Sequence, residues 1–201
     1  MFFFNRIALS IFIVLNAGCA KIHQAESVVT SDFLDDYSLL KKGSQNDALL
    51  SYWNSGTDWT TYKKIIVAPV IIRKVPDSEL NELPHAENYR LKELFEYRIR
   101  EALKKDHKLV TKPGSDTLRV QFAITDAESA IGKASVEGKI TDSRTGELLM
   151  ASADCRAGNN KILPNTFHSW EDIEQSYQYW AAQLSYQLCE KQGHYPCQKP
   201  E

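Results

Sequence analysis

The sequence predicts an α+β domain: a mixed, mainly antiparallel sheet of about five strands, with two main helices packed on one face and an extended N-terminal arm in front. Three observations predict it. Leu91, Leu94, Phe95, Ile99, Ala102 and Leu103 recur at spacings of three and four, as do Trp170, Ile173, Tyr177, Trp180, Ala181, Leu184 and Leu188, so each set marks one amphipathic helix. Before and between these helices lie short β-branched or alternating runs, the signature of strands. Ahead of the first strand, residues 31–60 hold many aromatic and leucine side chains with no sustained period.

In chain order, residues 19–30 read as a tether and residues 31–60 as the arm. Phe33, Leu34, Tyr37, Leu39, Leu40, Leu49, Leu50, Tyr52, Trp53 and Trp59 make the arm too apolar for a solvated linker, so it must dock on its own domain or on a partner. Tyr62 to Ile72 is nearly continuous in its apolarity, which suits a strand covered on both faces. Pro69 lacks an amide hydrogen, and a bulge or an edge is expected there. The first helix should span about Asn88 to Lys105, with Lys104 and Lys105 at its negative end. Strands are expected at His107–Thr111, Thr117–Thr125 and Ser135–Ile140. Asp142 and Gly146 then make a turn that returns Leu148–Ala153 as a hairpin partner. Ser169 followed by Asp172 resembles a capping box opening the last helix. The domain is thus expected over 61–191, with a C-terminal tail at 192–201.

Composition excludes several functions. With 24 basic and 26 acidic side chains among 201 residues and no basic block, nucleic acid is not expected as a partner. The cysteines at 19, 155, 189 and 197 form no CxxC, and the histidines at 23, 85, 107, 168 and 194 form no HExxH, so neither metal nor cofactor is expected. No GxSxG, Walker loop or dinucleotide fingerprint occurs. An enzyme would need Asp126, Glu128, His168 or Cys155 to converge in one cleft; a non-enzymatic protein is the expectation.

Residues 1–18 read as a signal peptide: Arg6, then the apolar run Ile7 to Leu15, then small Ala17 and Gly18 before Cys19. The run is shorter than the roughly 20 residues of a membrane-spanning helix. Leu15-Asn16-Ala17-Gly18-Cys19 resembles the bacterial lipoprotein cleavage box, with Leu one place further from the cysteine than usual. Cys19 would then carry the lipid, and each buried methylene contributes about 0.8 kcal/mol to membrane attachment. Ordinary signal-peptidase cleavage is the alternative. Ala20 follows the cysteine where an inner-membrane retention signal would place Asp, so the expected location is the periplasmic face of the outer membrane. Removing residues 1–18 takes away Arg6 and leaves a formal charge of -3.

In that compartment disulfides are allowed. Cys189 and Cys197 flank a segment whose Gly193 and Pro196 can turn the chain back, and Cys155–Cys189 is the competing pair.

Five blocks occur in order: Asp36-Tyr37-Ser38-x-Leu40, Tyr62-x-Lys64-Ile65-x-Val67-x-Pro69-Val70, Leu118-Arg119-Val120-x-x-Ala123-Ile124-Thr125-Asp126, Val136-Glu137-x-x-Ile140-x-Asp142-Ser143-x-Thr145-Gly146-Glu147 and Ala153-Asp154-x-Arg156-Ala157-Gly158. Together they resemble the bacterial lipoprotein family known as domain of unknown function 3313, over about Ser31 to Lys191. The resemblance implies an envelope lipoprotein without established activity and transfers no catalytic residue. Cys155, inside the last block, and the Cys189/Cys197 tail depart from its pattern, so the resemblance transfers no disulfide.

The function expected is that of an outer-membrane-anchored lipoprotein, held by lipid on Cys19, that acts as a structural or docking subunit of a multiprotein cell-envelope assembly such as a secretion apparatus. The alternative is binding of a small ligand, peptidoglycan or lipid through an aromatic surface made by Tyr52, Trp53 and Trp59.

Overall fold

The structure, a computed structural model, describes residues 22–44, 47–158 and 169–200. Nine strands, β1 (His23–Gln24), β2 (Lys41–Lys42), β3 (Leu50–Trp53), β4 (Lys64–Val67), β5 (Ile71–Ile72), β6 (Lys108–Leu109), β7 (Thr117–Glu128), β8 (Lys133–Asp142) and β9 (Leu148–Ala157), form one sheet. The described residues also form two α-helices, α1 (His85–Leu103) and α2 (Ser169–Lys191).

The sheet runs β2-β3-β9-β8-β7-β4-β6, with β1 also on β9 and β5 also on β7. Pairings of β4 with β6 and of β4 and β5 with β7 are parallel; the others are antiparallel. The mixed α+β class therefore holds, but among the described residues the sheet has nine strands rather than five. The additional strands are two to four residues long, too short to display alternation in sequence. The run expected as one strand at Tyr62–Ile72 is two: Ala68-Pro69-Val70 interrupts it, and both halves lie beside β7. That is the effect of a residue with no amide hydrogen to give the ladder.

Both helices cover one face. Leu91, Phe95, Ile99 and Leu103 of α1 pack with Ile173, Tyr177, Trp180, Ala181, Leu184 and Leu188 of α2 over Leu118, Val120, Phe122 and Ile124 of β7. Phe95 is the pivot, stacked on Tyr177 at 4.7 Å and edge-on to Phe122 at 5.2 Å. α1 starts three residues earlier than the apolar stripe suggests, behind Pro84, whose fixed φ and missing amide suit a helix start. Trp170, expected on the packed face of α2, is 38% exposed instead. The side chain of Ser169 lies outside the described residues.

The first part of the arm covers the opposite face. Phe33 and Leu34 are buried against Ala123 and Ala151, with Tyr37, Leu40, Tyr52 and Leu148 around them. Burying two such side chains contributes about 1.5–3 kcal/mol each, enough to hold the segment on its own sheet. The expected turn is present: Asp142 Oδ1 accepts from the amides of Arg144 and Thr145, both at 2.8 Å, and Gly146 takes φ +77°. Among the described residues no helix is long and apolar enough to cross a membrane.

Candidate functional site

Cys19 and residues 1–18, expected as a signal peptide, lie outside the described residues. What the structure places is the chain just beyond. His23 and Gln24 pair with Ala157 and Arg156, and the amide of Ala25 donates to the carbonyl of Cys155 at 2.9 Å. Within the segment expected as a tether, His23 and Gln24 are thus part of the sheet.

Asp154 fastens it. This carboxylate, 1% exposed, accepts from Gln24 Nε2 at 2.8 Å and the Leu49 amide at 2.9 Å on Oδ1, and from Trp180 Nε1 at 2.6 Å on Oδ2. Gln24 also donates to the carbonyl of Asp47 at 3.1 Å, and Gln187 of α2 donates to Asp47 Oδ1 at 2.7 Å. Burial pushes the Asp154 carboxyl above its usual pKa, against the pull of Trp180, Gln24, Leu49 and Arg156. On the other face, fully buried Glu137 does the same for the arm. It accepts from the Ser31 amide at 2.7 Å and the Tyr37 hydroxyl at 2.6 Å, and Lys139 reaches the Phe33 carbonyl and Asp35 beside it. Neither acid's role is legible in the sequence, because their donors lie a hundred residues or more away, apart from Trp180.

The aromatic trio does not make one surface. Tyr52 and Trp53 are successive residues of β3, and they point to opposite faces: Tyr52 joins the arm cluster and Trp53 the helix-side core. Trp59 is 6% exposed and meets Trp53 edge-on at 5.2 Å. The adjacent cavity, lined by Trp53, Ser152, Asp154, Trp180 and Gln187 among others, measures about 20 Å³, room for about one water. A ligand surface built from Tyr52, Trp53 and Trp59 is therefore corrected by the alternation of the strand that carries two of them.

The acids weighed as catalytic are structural in their bonding. Lys133 Nζ bridges Asp126 at 3.1 Å and Glu128 at 3.6 Å, and Ser78 Oγ donates to Asp126 at 2.7 Å. Asp126, Ser135 and Cys155 stand in one row across β7, β8 and β9, so Asp126 and Cys155 are about 10 Å apart at roughly 4.8 Å per strand. Burial pushes the Cys155 thiol up, with Ser135 and Lys133 opposing, which leaves a protonated sulfur rather than a nucleophile. His168 lies outside the described residues. Cys189 and Cys197 form a disulfide with Cα atoms 5.7 Å apart, and Cys155 is buried and free, so the competing Cys155–Cys189 pair is not made. No group of three His, Cys, Asp or Glu among the described residues is placed to hold a metal.

An open groove of about 570 Å³ lies on the outside of the helices, lined by Tyr89, Arg90, Glu93, Leu94, Tyr97 and Glu174. Tyr89 and Tyr97 are 59% and 54% exposed.

Solved structures that match this chain include a PelC dodecamer from Paraburkholderia phytofirmans, at 10% identity over 73% of this chain and 98% of that one, TM-score 0.38. A protein from Xanthomonas campestris under family-model DUF330 matches at 15% identity over 70% of this chain and 92% of that one, TM-score 0.46. Lipoprotein GNA1162 from Neisseria meningitidis matches at 14% identity over 59% and 96%, TM-score 0.26. No curated protein matches significantly in sequence. The family model described as Protein of unknown function (DUF3313) matches residues 29–131 and 127–184. That is well over half of the sequence, and the chain belongs to this family.

Proposed function

We propose that this protein is a non-catalytic envelope lipoprotein, held by lipid on Cys19 at the periplasmic face of the outer membrane, where it docks as a subunit of a multiprotein assembly such as a secretion apparatus. The observation that carries the reading is the position of β1, which fixes the domain to the sequence immediately after the lipoprotein box. A stably attached, short-leashed domain suits a part that must be held in register with neighbours. The buried acids support a structural role, since Asp154 and Glu137 spend their oxygens holding the N-terminal segment in place. At the end remote from β1, Tyr195 is 87% exposed and available to a partner.

In the test, envelopes are fractionated and crosslinked in cells, and neighbours are identified by mass spectrometry. Wild type is expected in the outer-membrane fraction with reproducible envelope partners, while Cys19→Ala is released or left unprocessed. Unchanged membrane retention of Cys19→Ala contradicts the anchor, and recovery only as a free monomer contradicts docking.

A further inference from the structure

We propose that the end of the domain where β1 enters the sheet lies directly on the lipid surface, with Trp170 and Tyr89 as its interfacial contacts. This rests on acylation of Cys19.

The argument begins with reach. His23 is the first residue of β1 and follows Cys19 by four residues, so a fully extended chain separates them by at most about 14 Å at ~3.6 Å per residue. Because His23 pairs with Ala157, the last residue of β9, the chain leaves the sheet at the end of β9 rather than from its middle. A lipid-bearing Cys19 therefore holds this end of the domain within about 14 Å of the point of acylation.

Register identifies what else is there. The end of β9 lies beside the start of β8, which pairs with the end of β7. The first turn of α2 seats on this corner: Gly158 donates its amide to the Gly132 carbonyl at 3.2 Å, and a Cβ added to either glycine would strike Asp172. Trp170 is two residues before Asp172 and 38% exposed. α1 begins at the same end, because Glu79 Oε2 accepts from the Ser129 amide at 3.0 Å and Asn88 Nδ2 donates to the Leu80 and Leu83 carbonyls. Tyr89 follows Asn88, 59% exposed, on the groove that also includes Glu174, one turn from Trp170. Exposed Trp and Tyr are the residues whose apolar ring and polar tip suit the headgroup layer. Charges here are mixed, Arg90 and Lys92 against Glu87, Glu93 and Glu174, so contact does not call for anionic lipid.

The test uses the full processed protein, purified in detergent and reconstituted into phosphatidylcholine vesicles with brominated acyl chains, which quench nearby tryptophan. Intact mass first establishes whether Cys19 carries lipid. The other tryptophans are shielded: Trp59 and Trp180 are 6% and 3% exposed, and Trp53 pairs with Met150, seven residues along β9 from Ala157 and so about 23 Å away at ~3.3 Å per residue. Wild type is expected to be quenched, Trp170→Phe to lose most of that quenching, and about ten Gly/Ser residues inserted between Ala20 and Lys21 to weaken it while the protein still floats with the vesicles. Quenching unchanged by Trp170→Phe, or absent from lipid-bearing wild type, overturns the proposal and leaves the anchor standing. A Cys19 without lipid overturns both.

Discussion

Replacing Asp154 by Ala should loosen the N-terminal segment from the rest of the molecule. The carboxylate accepts from Gln24, Leu49 and Trp180, and Ala removes all three acceptor positions at once. Gln24 is half-buried at the sheet margin and can turn to water, whereas the Leu49 amide and the Trp180 indole face a site with room for about one water. An unsatisfied buried donor costs about 1–3 kcal/mol, and relief from burying the acid offsets part of that, so the expected loss is about 2–4 kcal/mol. Asp154→Asn keeps one oxygen for two of the donors but sets an amide nitrogen against the third, for an expected loss of about 1–2 kcal/mol. The sign with pH follows from the raised carboxyl pKa: this group adds stability as pH falls through its folded value towards the unfolded ~3.9, and that contribution is absent at neutral pH. Urea unfolding of unlipidated wild type, Asp154→Asn and Asp154→Ala gives the ranking, and hydrogen exchange over residues 22–26 and 47–53 gives the location. Alanine within about 0.5 kcal/mol of wild type, or exchange raised evenly across the fold, would refute the idea that Asp154 holds the segment.

Tyr177 is fully buried with a hydroxyl that has no hydrogen-bond partner among the described residues; Tyr177→Phe keeps the stack on Phe95 and should raise stability by about 1 kcal/mol, and a loss in thermal unfolding would reveal a hidden partner for the hydroxyl. His107 Nε2 lies 2.8 Å from Gln192 Oε1, and because Gln192 Nε2 donates to the Tyr62 carbonyl, the imidazole donates to Oε1. Burial lowers its pKa, with Gln192 and Asp106 opposing, so its contribution is present above the unfolded ~6.5 and lost as pH falls through the folded value; His107→Gln should flatten the loss of stability as pH falls below the unfolded ~6.5, and an unaltered slope would assign it to other groups. The Cys189–Cys197 bond closes a short loop, so Cys197→Ser should lower stability by about 2–3 kcal/mol in a chain-entropy account, read by urea unfolding under oxidising conditions. An equal effect of reductant on wild type and Cys197→Ser would count against that bond as the cause.

The sequence by itself determined both helices, the hairpin of β8 and β9 and the break at Pro69, because each is written in local periodicity or in one residue's backbone chemistry. Gly146 at positive φ and the Asp142 carboxylate on the turn amides are local in the same way. It also marked Cys19 as the acylation candidate, a pattern of adjacent residues. Only the tertiary structure decided where the apolar arm goes. Phe33 and Leu34 announce that they must be buried, but the covering partner, Ala123 and Ala151, lies about ninety residues or more away, and two-residue strands such as β1 and β2 have no period to read. It likewise decided that Tyr52 and Trp53 part company across the sheet, that Asp154 and Glu137 are buried fasteners rather than surface acids, and that Trp170 leaves the packed face of its helix. A pattern reports which side chains avoid water; which surfaces meet is set by register and long-range packing, and those are properties of the folded chain.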